Sequence, residues 1–213
     1  MSPPRPNRGW ATEPPPTTYF VRGLLLRLLA GVYLVAFASF WLQAEGLIGP
    51  RGILPVASFL DAAHAQIGPD AYRQVPTVLW LSGSVAALHL VCGAGVVLSL
   101  AAIAGLAPLL CFVLLWVLYL SIVQGGQDFM SFQWDVLLLE AGVIAWFLAP
   151  ARFRTGITDR RPPPAVSIWL ARLLVWKLMF LSGATKLLAY DDTWWQLTAL
   201  DYHYYTQPLP WWT

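Results

Sequence analysis

The chain has 213 residues, of which 58% are hydrophobic and only 11% charged, with 12 tryptophans. Average soluble domains carry about 25% charged residues, so this composition excludes an ordinary soluble domain. The formal net charge of +2 says little by itself, and no nucleic-acid partner is expected.

Several apolar runs exceed ~18 residues, the length that reads as membrane-spanning. The expected fold is therefore all-α: a polytopic transmembrane helical bundle of about five spans, with the bilayer as its first partner. Residues 1–18 are Pro-rich and include Arg5 and Arg8. The run Pro14-Pro15-Pro16 cannot continue a helix, so an extended or disordered lead-in is expected. The apolar run that follows is too long for a secretory signal.

Span one is expected over residues 21–42. Arg22 and Arg27 lie in its first turns, where long side chains snorkel to the headgroups. Residues 43–76 form a polar connection punctuated by Gly and Pro. Its piece 57–66 is amphipathic, placed either on the membrane surface or as a lid over the bundle mouth. His64 reads as a solvated loop side chain.

Spans two (77–100) and three (101–123) follow, with a tight turn near Ala104-Gly105. Small residues crowd span two and let helix backbones approach closely. His89 there reads as an interhelical hydrogen-bonding group. Cys92 and Cys111 both fall in apolar runs and read as small buried side chains. No disulfide framework or metal-ligand spacing exists, and no cofactor is expected.

A short hinge with Asp128 leads into span four, residues 130–149. This span carries Gln133, Asp135 and Glu140 in the stretch SFQWDVLLLEAG. Ionisable groups at membrane depth are costly, so they face other helices or a water-filled cavity and take partners. A basic, Pro-rich loop at 150–164 precedes span five, residues 166–189, with Arg172, Lys177 and Lys186. The tail 190–213 is polar and aromatic. Lys/Arg bias places the N-terminus and the basic loop inside, and the aromatic tail outside.

Spans four and five are antiparallel neighbours across one short loop. Equal depth pairs Asp135 with Lys186 and Glu140 with Lys177. Five residues turn a helix by about 140°, so Asp135 and Glu140 do not share one narrow face. One pair can instead use a third helix, through His89 or Gln133. No nucleophile–base constellation, phosphate loop or metal motif lies beside these charges, so no catalytic residue is assigned.

The motifs resemble one family. SFQWDVLLLEAG, then WFLAP at 146–150, is similar to the lipase maturation factor family. So are YLVAFASFWLQ and GLIGPRGILP nearer the N-terminus. KLMFLSGATKLLAYDDTWWQLTALDYHYYTQPLP, residues 177–210, resembles the family signature more strongly still. The matching positions include Lys186, Asp192, Trp194, His203, Tyr204 and Gln207, candidate binding positions alongside Asp128, Gln133, Asp135, Glu140 and Lys177. Tyr205 stands where the family usually has Glu.

The resemblance implies an integral membrane protein that assists folding and maturation of homodimeric lipases, in the endoplasmic reticulum of animals. A Pro/Arg/Ala-rich composition points instead to a bacterial source and the cytoplasmic (inner) membrane. Family members continue past TQPLP into further spans and an extramembrane domain associated with lipase engagement. The chain is accordingly expected to be the N-terminal part of such a protein. A client lipase or other exported protein is the implied partner, and a homo-oligomer is compatible. The alternative is a membrane-embedded enzyme or redox-coupled bundle acting on a lipid-soluble substrate, with a loose likeness to the membrane part of vitamin K-dependent carboxylases. A transporter is disfavoured by short length and lack of an internal repeat.

Overall fold

A computed structural model describes residues 16–159 and 162–206. Among the described residues the chain is helical, without strands, and its helices are α1 (Pro16–Trp41), α2 (Ala44–Ile48), α3 (Val56–Ile67), α4 (Ala71–Gln74), α5 (Val85–Ile103), α6 (Pro108–Gly126), α7 (Gln133–Leu148), α8 (Ala165–Leu188), α9 (Asp192–Trp195) and α10 (Ala199–Thr206). The expected all-α class holds. Two compact units, Met1–Ile168 and Trp169–Thr213, divide the chain.

Among the described residues, four helical stretches are long and apolar enough to cross a bilayer: Thr17–Trp41, Val85–Ile103, Pro108–Met130 and Ala165–Leu188. The expected span at 130–149 is shorter. Its helix α7 has 16 residues, about 24 Å at 1.5 Å per residue, against a hydrocarbon core of about 30 Å. Span two starts at Val85 rather than near 77, because Ser84 caps α5 and its side chain accepts from the Ala87 N–H at 3.3 Å. That is the usual work of an N-cap serine. Span three starts at Pro108 rather than 101. The turn before it uses Gly105 at φ 75° and Ala107 at φ 37°, and Pro108 opens α6, where its missing N–H costs nothing.

In the first unit α1 packs along α5, and α6 packs between α5 and α7. The close α1–α5 approach depends on small residues. A Cβ at Gly95 would run into the Phe37 ring, and one at Gly93 would stand 3.2 Å from Trp41. His89 of α5 accepts the Trp41 indole N–H on Nδ1 at 2.6 Å, as an interhelical hydrogen-bonding group should. Cys92 and Cys111 are both buried.

Each end of this unit is closed by a connecting segment. At one end Arg22 holds the α7–α8 loop through the Asp159 carbonyl at 2.8 Å and its carboxylate at 3.7 Å. Arg27 reaches the Thr155 carbonyl at 3.2 Å. The two arginines expected to snorkel are thus also loop anchors. The same loop exchanges backbone hydrogen bonds with the α5–α6 turn, Ala107 N–H to Phe153 at 2.7 Å and Thr155 N–H to Gly105 at 2.9 Å.

At the other end the connection between α1 and α5 folds over the bundle. Buried Val56, Leu60 and Ala63 line one face of α3, and α3 packs on α6. The end of α6 accepts it at Gly125, where a Cβ would meet Leu79 at 2.8 Å and Val56 at 3.1 Å. Thr77 donates to the Ser121 carbonyl at 3.2 Å, and Gln127 to the Leu54 carbonyl at 3.2 Å. Of the two placements open to the amphipathic piece, packing on the bundle is the one adopted.

Candidate functional site

Two of the family-like motifs, far apart in sequence, meet in the first unit. YLVAFASFWLQ forms the second half of α1, and SFQWDVLLLEAG forms α7 with the residues just before it. Tyr33 donates its hydroxyl to the Leu138 carbonyl at 3.1 Å, inside the core. Gly142 makes that approach possible, since a Cβ there would collide with the Tyr33 hydroxyl and stand 3.1 Å from Trp116. Trp116 donates to the Leu139 carbonyl at 3.0 Å and Trp146 to the Phe112 carbonyl at 3.2 Å, with their rings 5.1 Å apart and edge-on. Buried indole and phenol donors thus find backbone acceptors, and they fix the register of α7 against α1 and α6.

Asp135 lies at the top of this seam. It sits in the first turn of α7 and is only 3% exposed. The positive end of the helix dipole favours an acid there. Its Oδ1 accepts the Tyr119 hydroxyl at 2.6 Å, while its Oδ2 is buried with no hydrogen-bond partner among the described residues. Tyr119 packs edge-on against Tyr33 and Phe37, each at 5.6 Å between centroids. Burial, one strong hydrogen bond and aromatic packing therefore hold the carboxyl in place.

A cleft of about 340 Å³ opens beside it, lined by the end of α1, the start of α2, the turn after α6 and the first turn of α7. Phe40, Phe129 and Met130 give it apolar walls, Ser39 and Gln43 polar ones, and Tyr119 and Asp135 also line it. Phe132 and Trp134 stack on each other at 4.6 Å and 12°. Both line the cleft and are well exposed.

The other sequence-derived positions spread out. Asp128 is exposed in the turn after α6, where its carbonyl accepts from Ser131 at 3.0 Å, and Gln133 is exposed at the start of α7. Glu140 is half-buried on α7 and does not line the cleft. Lys177 and Lys186 belong to the second unit. The pairings Asp135–Lys186 and Glu140–Lys177 join different units and stand as expectations from the sequence. Within the second unit the Lys186 ammonium lies 4.7 Å from the Trp194 ring centroid, a cation–π arrangement between two family-motif residues. Asp192 opens α9 after the cap residue Asp191, which accepts the Thr193 N–H at 3.0 Å. His203 and Tyr204 are exposed on α10, with rings 6.1 Å apart. Gln207 lies outside the described residues, as do residues 1–15, Arg160 and Arg161. Among the described residues no His, Cys, Asp and Glu cluster could hold a metal.

Sequence reasoning missed Tyr119 as the partner of Asp135. The available signal was the antiparallel register of neighbouring helices, applied to α6 rather than only to α8. Steps from Tyr119 to Trp116 to Phe112 along α6 are answered by steps from Asp135 to Leu139 to Trp146 along α7.

A family model described as the lipase maturation factor transmembrane domain matches residues 20–213. Lipase maturation factor 2 of Gallus gallus is 45% identical over 197 residues, covering 89% of this chain and 28% of that protein. Lipase maturation factor 2 of Homo sapiens is 40% identical over 208 residues, covering 89% and 29%. Lipase maturation factor 1 of Homo sapiens is 35% identical over 221 residues, covering 98% and 39%. The chain thus spans well under half the length of these relatives. No solved structure matches it.

Proposed function

The chain belongs to the lipase maturation factor family, and from that premise we propose that it assists the maturation of an exported client, a lipase first among the candidates. The observation that carries this reading is the connection between α1 and α5. It is not a slack loop but a set of short helices packed on the end of α6. It exposes Ile53, Tyr72 and Leu81, and the Tyr72 ring clusters with those of His64 and Trp80. A firm surface with exposed apolar side chains suits transient contact with an incompletely folded client.

Charge supports the direction. Arg22, Arg27, Arg152 and Arg154 gather at the opposite end of the unit, the end that the Lys/Arg bias assigns to the cytoplasm. The client-facing end is then the outer or lumenal one. That means the endoplasmic reticulum lumen in an animal cell and the periplasmic side of an inner membrane in a bacterium.

The test is photo-crosslinking in cells co-expressing a secreted lipase. A photoreactive residue at Ile53 or Tyr72 is expected to capture the lipase, and one at Phe153 is not. Secreted lipase activity should rise with the chain and fall when Ile53 and Tyr72 are both changed to Glu. Equal capture from both ends, or lipase activity indifferent to the chain, would overturn the reading.

A further inference from the structure

We propose that the cleft beside Asp135 binds a primary ammonium carried on an apolar stem. The first observation is the carboxyl itself. It is almost fully buried, Tyr119 serves one oxygen, and the other has no partner among the described residues. Buried polar atoms are rarely left unsatisfied, and one on a side chain beside a cleft points to a ligand.

The second is the character of the walls. Among the described residues of the first unit, no lysine or arginine lines the cleft. Ser39 and Gln43 each direct a donor onto a helix carbonyl, at 3.1 and 3.2 Å, so they add acceptor capacity there. A ligand must therefore bring hydrogen-bond donors and positive charge. Phe40, Tyr119, Phe132 and Trp134 line the space, and aromatic rings attract cations.

The third is size and depth. A volume of about 340 Å³ holds a head group and a few methylenes rather than a whole lipid. The cleft lies at one end of α1 and in the first turn of α7, at the end of the bundle where an amphiphile's head would sit. The unserved oxygen calls for an N–H donor, so a primary ammonium fits better than a quaternary one. The ethanolamine head of a phospholipid and a soluble long-chain amine offer the same group. This inference is independent of the maturation role.

The experiment uses the full chain in phosphatidylcholine nanodiscs and a photoreactive octylammonium, with labelled peptides mapped by mass spectrometry. Saturable labelling near Met130 or Trp134 is expected. Asp135→Asn should weaken it about tenfold or more, the scale of a lost charge-assisted hydrogen bond. Octyltrimethylammonium and octanol should compete about as weakly as octylammonium does with that variant. Ala36→Phe fills the cleft while leaving Asp135 and Tyr119 in place, and should abolish labelling. It decides the matter if Asp135→Asn does not fold. Competition by phosphatidylethanolamine added to the disc would assign the head to a lipid, and lack of it to a soluble amine. Either result supports the site. No saturable labelling, labelling that appears only after Lys186→Met and so assigns the site to the chain's own ammonium, labelling that survives both Asp135→Asn and Ala36→Phe, or octanol competing as well as octylammonium, would overturn it.

Discussion

At the scale of single residues, the core of the first unit turns on contacts between polar side chains and buried backbone. Gly142 is the sharpest case. Glycine inside a helix costs up to about 1 kcal/mol relative to alanine, so Gly142→Ala would ordinarily stabilise. Here the added methyl meets the Tyr33 hydroxyl, and overpacking of this kind costs about 1–3 kcal/mol. The variant should unfold at lower temperature in detergent, and Tyr33→Phe in the same chain should restore part of the loss. A stabilised Gly142→Ala would contradict the packing. Tyr119→Phe leaves a second oxygen of Asp135 without a donor and should lower stability by about 1–3 kcal/mol. The sequence made Asp135 conspicuous, since an acid in an apolar run demands a partner. It did not make Tyr119 so, because a tyrosine in an apolar helix is unremarkable until its register against α7 is known. Gly142 was legible only as part of a motif, because the reason for it is a hydroxyl more than a hundred residues away.

At the scale of elements, helices were legible wherever an apolar run was long. Their ends were not, even where a side-chain cap sets them. Residues 77–84 are nearly as apolar as a span, yet Thr77 and Ser84 end the helix's claim on them through their own hydroxyl caps. The α5–α6 turn was found at Ala104-Gly105, but its cost was not visible. Ala107 sits at φ 37°, where a residue with a Cβ loses roughly 1–2 kcal/mol. Ala107→Gly should therefore be neutral or stabilising by up to about 1 kcal/mol after the extra freedom of the unfolded glycine is counted. Thermal unfolding reads this directly, and a clear loss of stability would show that the turn is not strained. On the α6–α7 face, Trp116→Phe and Trp146→Phe each remove one interhelical hydrogen bond. In a membrane such bonds average about 0.6 kcal/mol, so each loss should be small and the pair should remain a folded bundle.

At the scale of the whole molecule, membership of the lipase maturation factor family rests on a match over residues 20–213. The membrane character follows from four long apolar helices. Both were anticipated, the first from motif order and the second from run length. The sequence could not tell whether the connection between α1 and α5 rests on the bilayer or on the bundle, since an amphipathic helix suits either. The packing of Val56 and Leu79 at Gly125 decides it.

Under the proposed function, this packed connection faces a client while the arginine end faces the cytoplasm. Cysteine accessibility distinguishes the two sides. In a chain with Cys92 and Cys111 changed to Ala, single cysteines at Tyr72 and at Arg152 would be probed with a membrane-impermeant maleimide. In whole cells for a bacterial inner membrane, or after selective plasma-membrane permeabilisation for the endoplasmic reticulum, opposite sides are exposed. The account predicts that Tyr72→Cys reacts only from the periplasmic or lumenal side and Arg152→Cys only from the cytoplasmic side. The reverse pattern would contradict it, because the connection would then face away from any exported client.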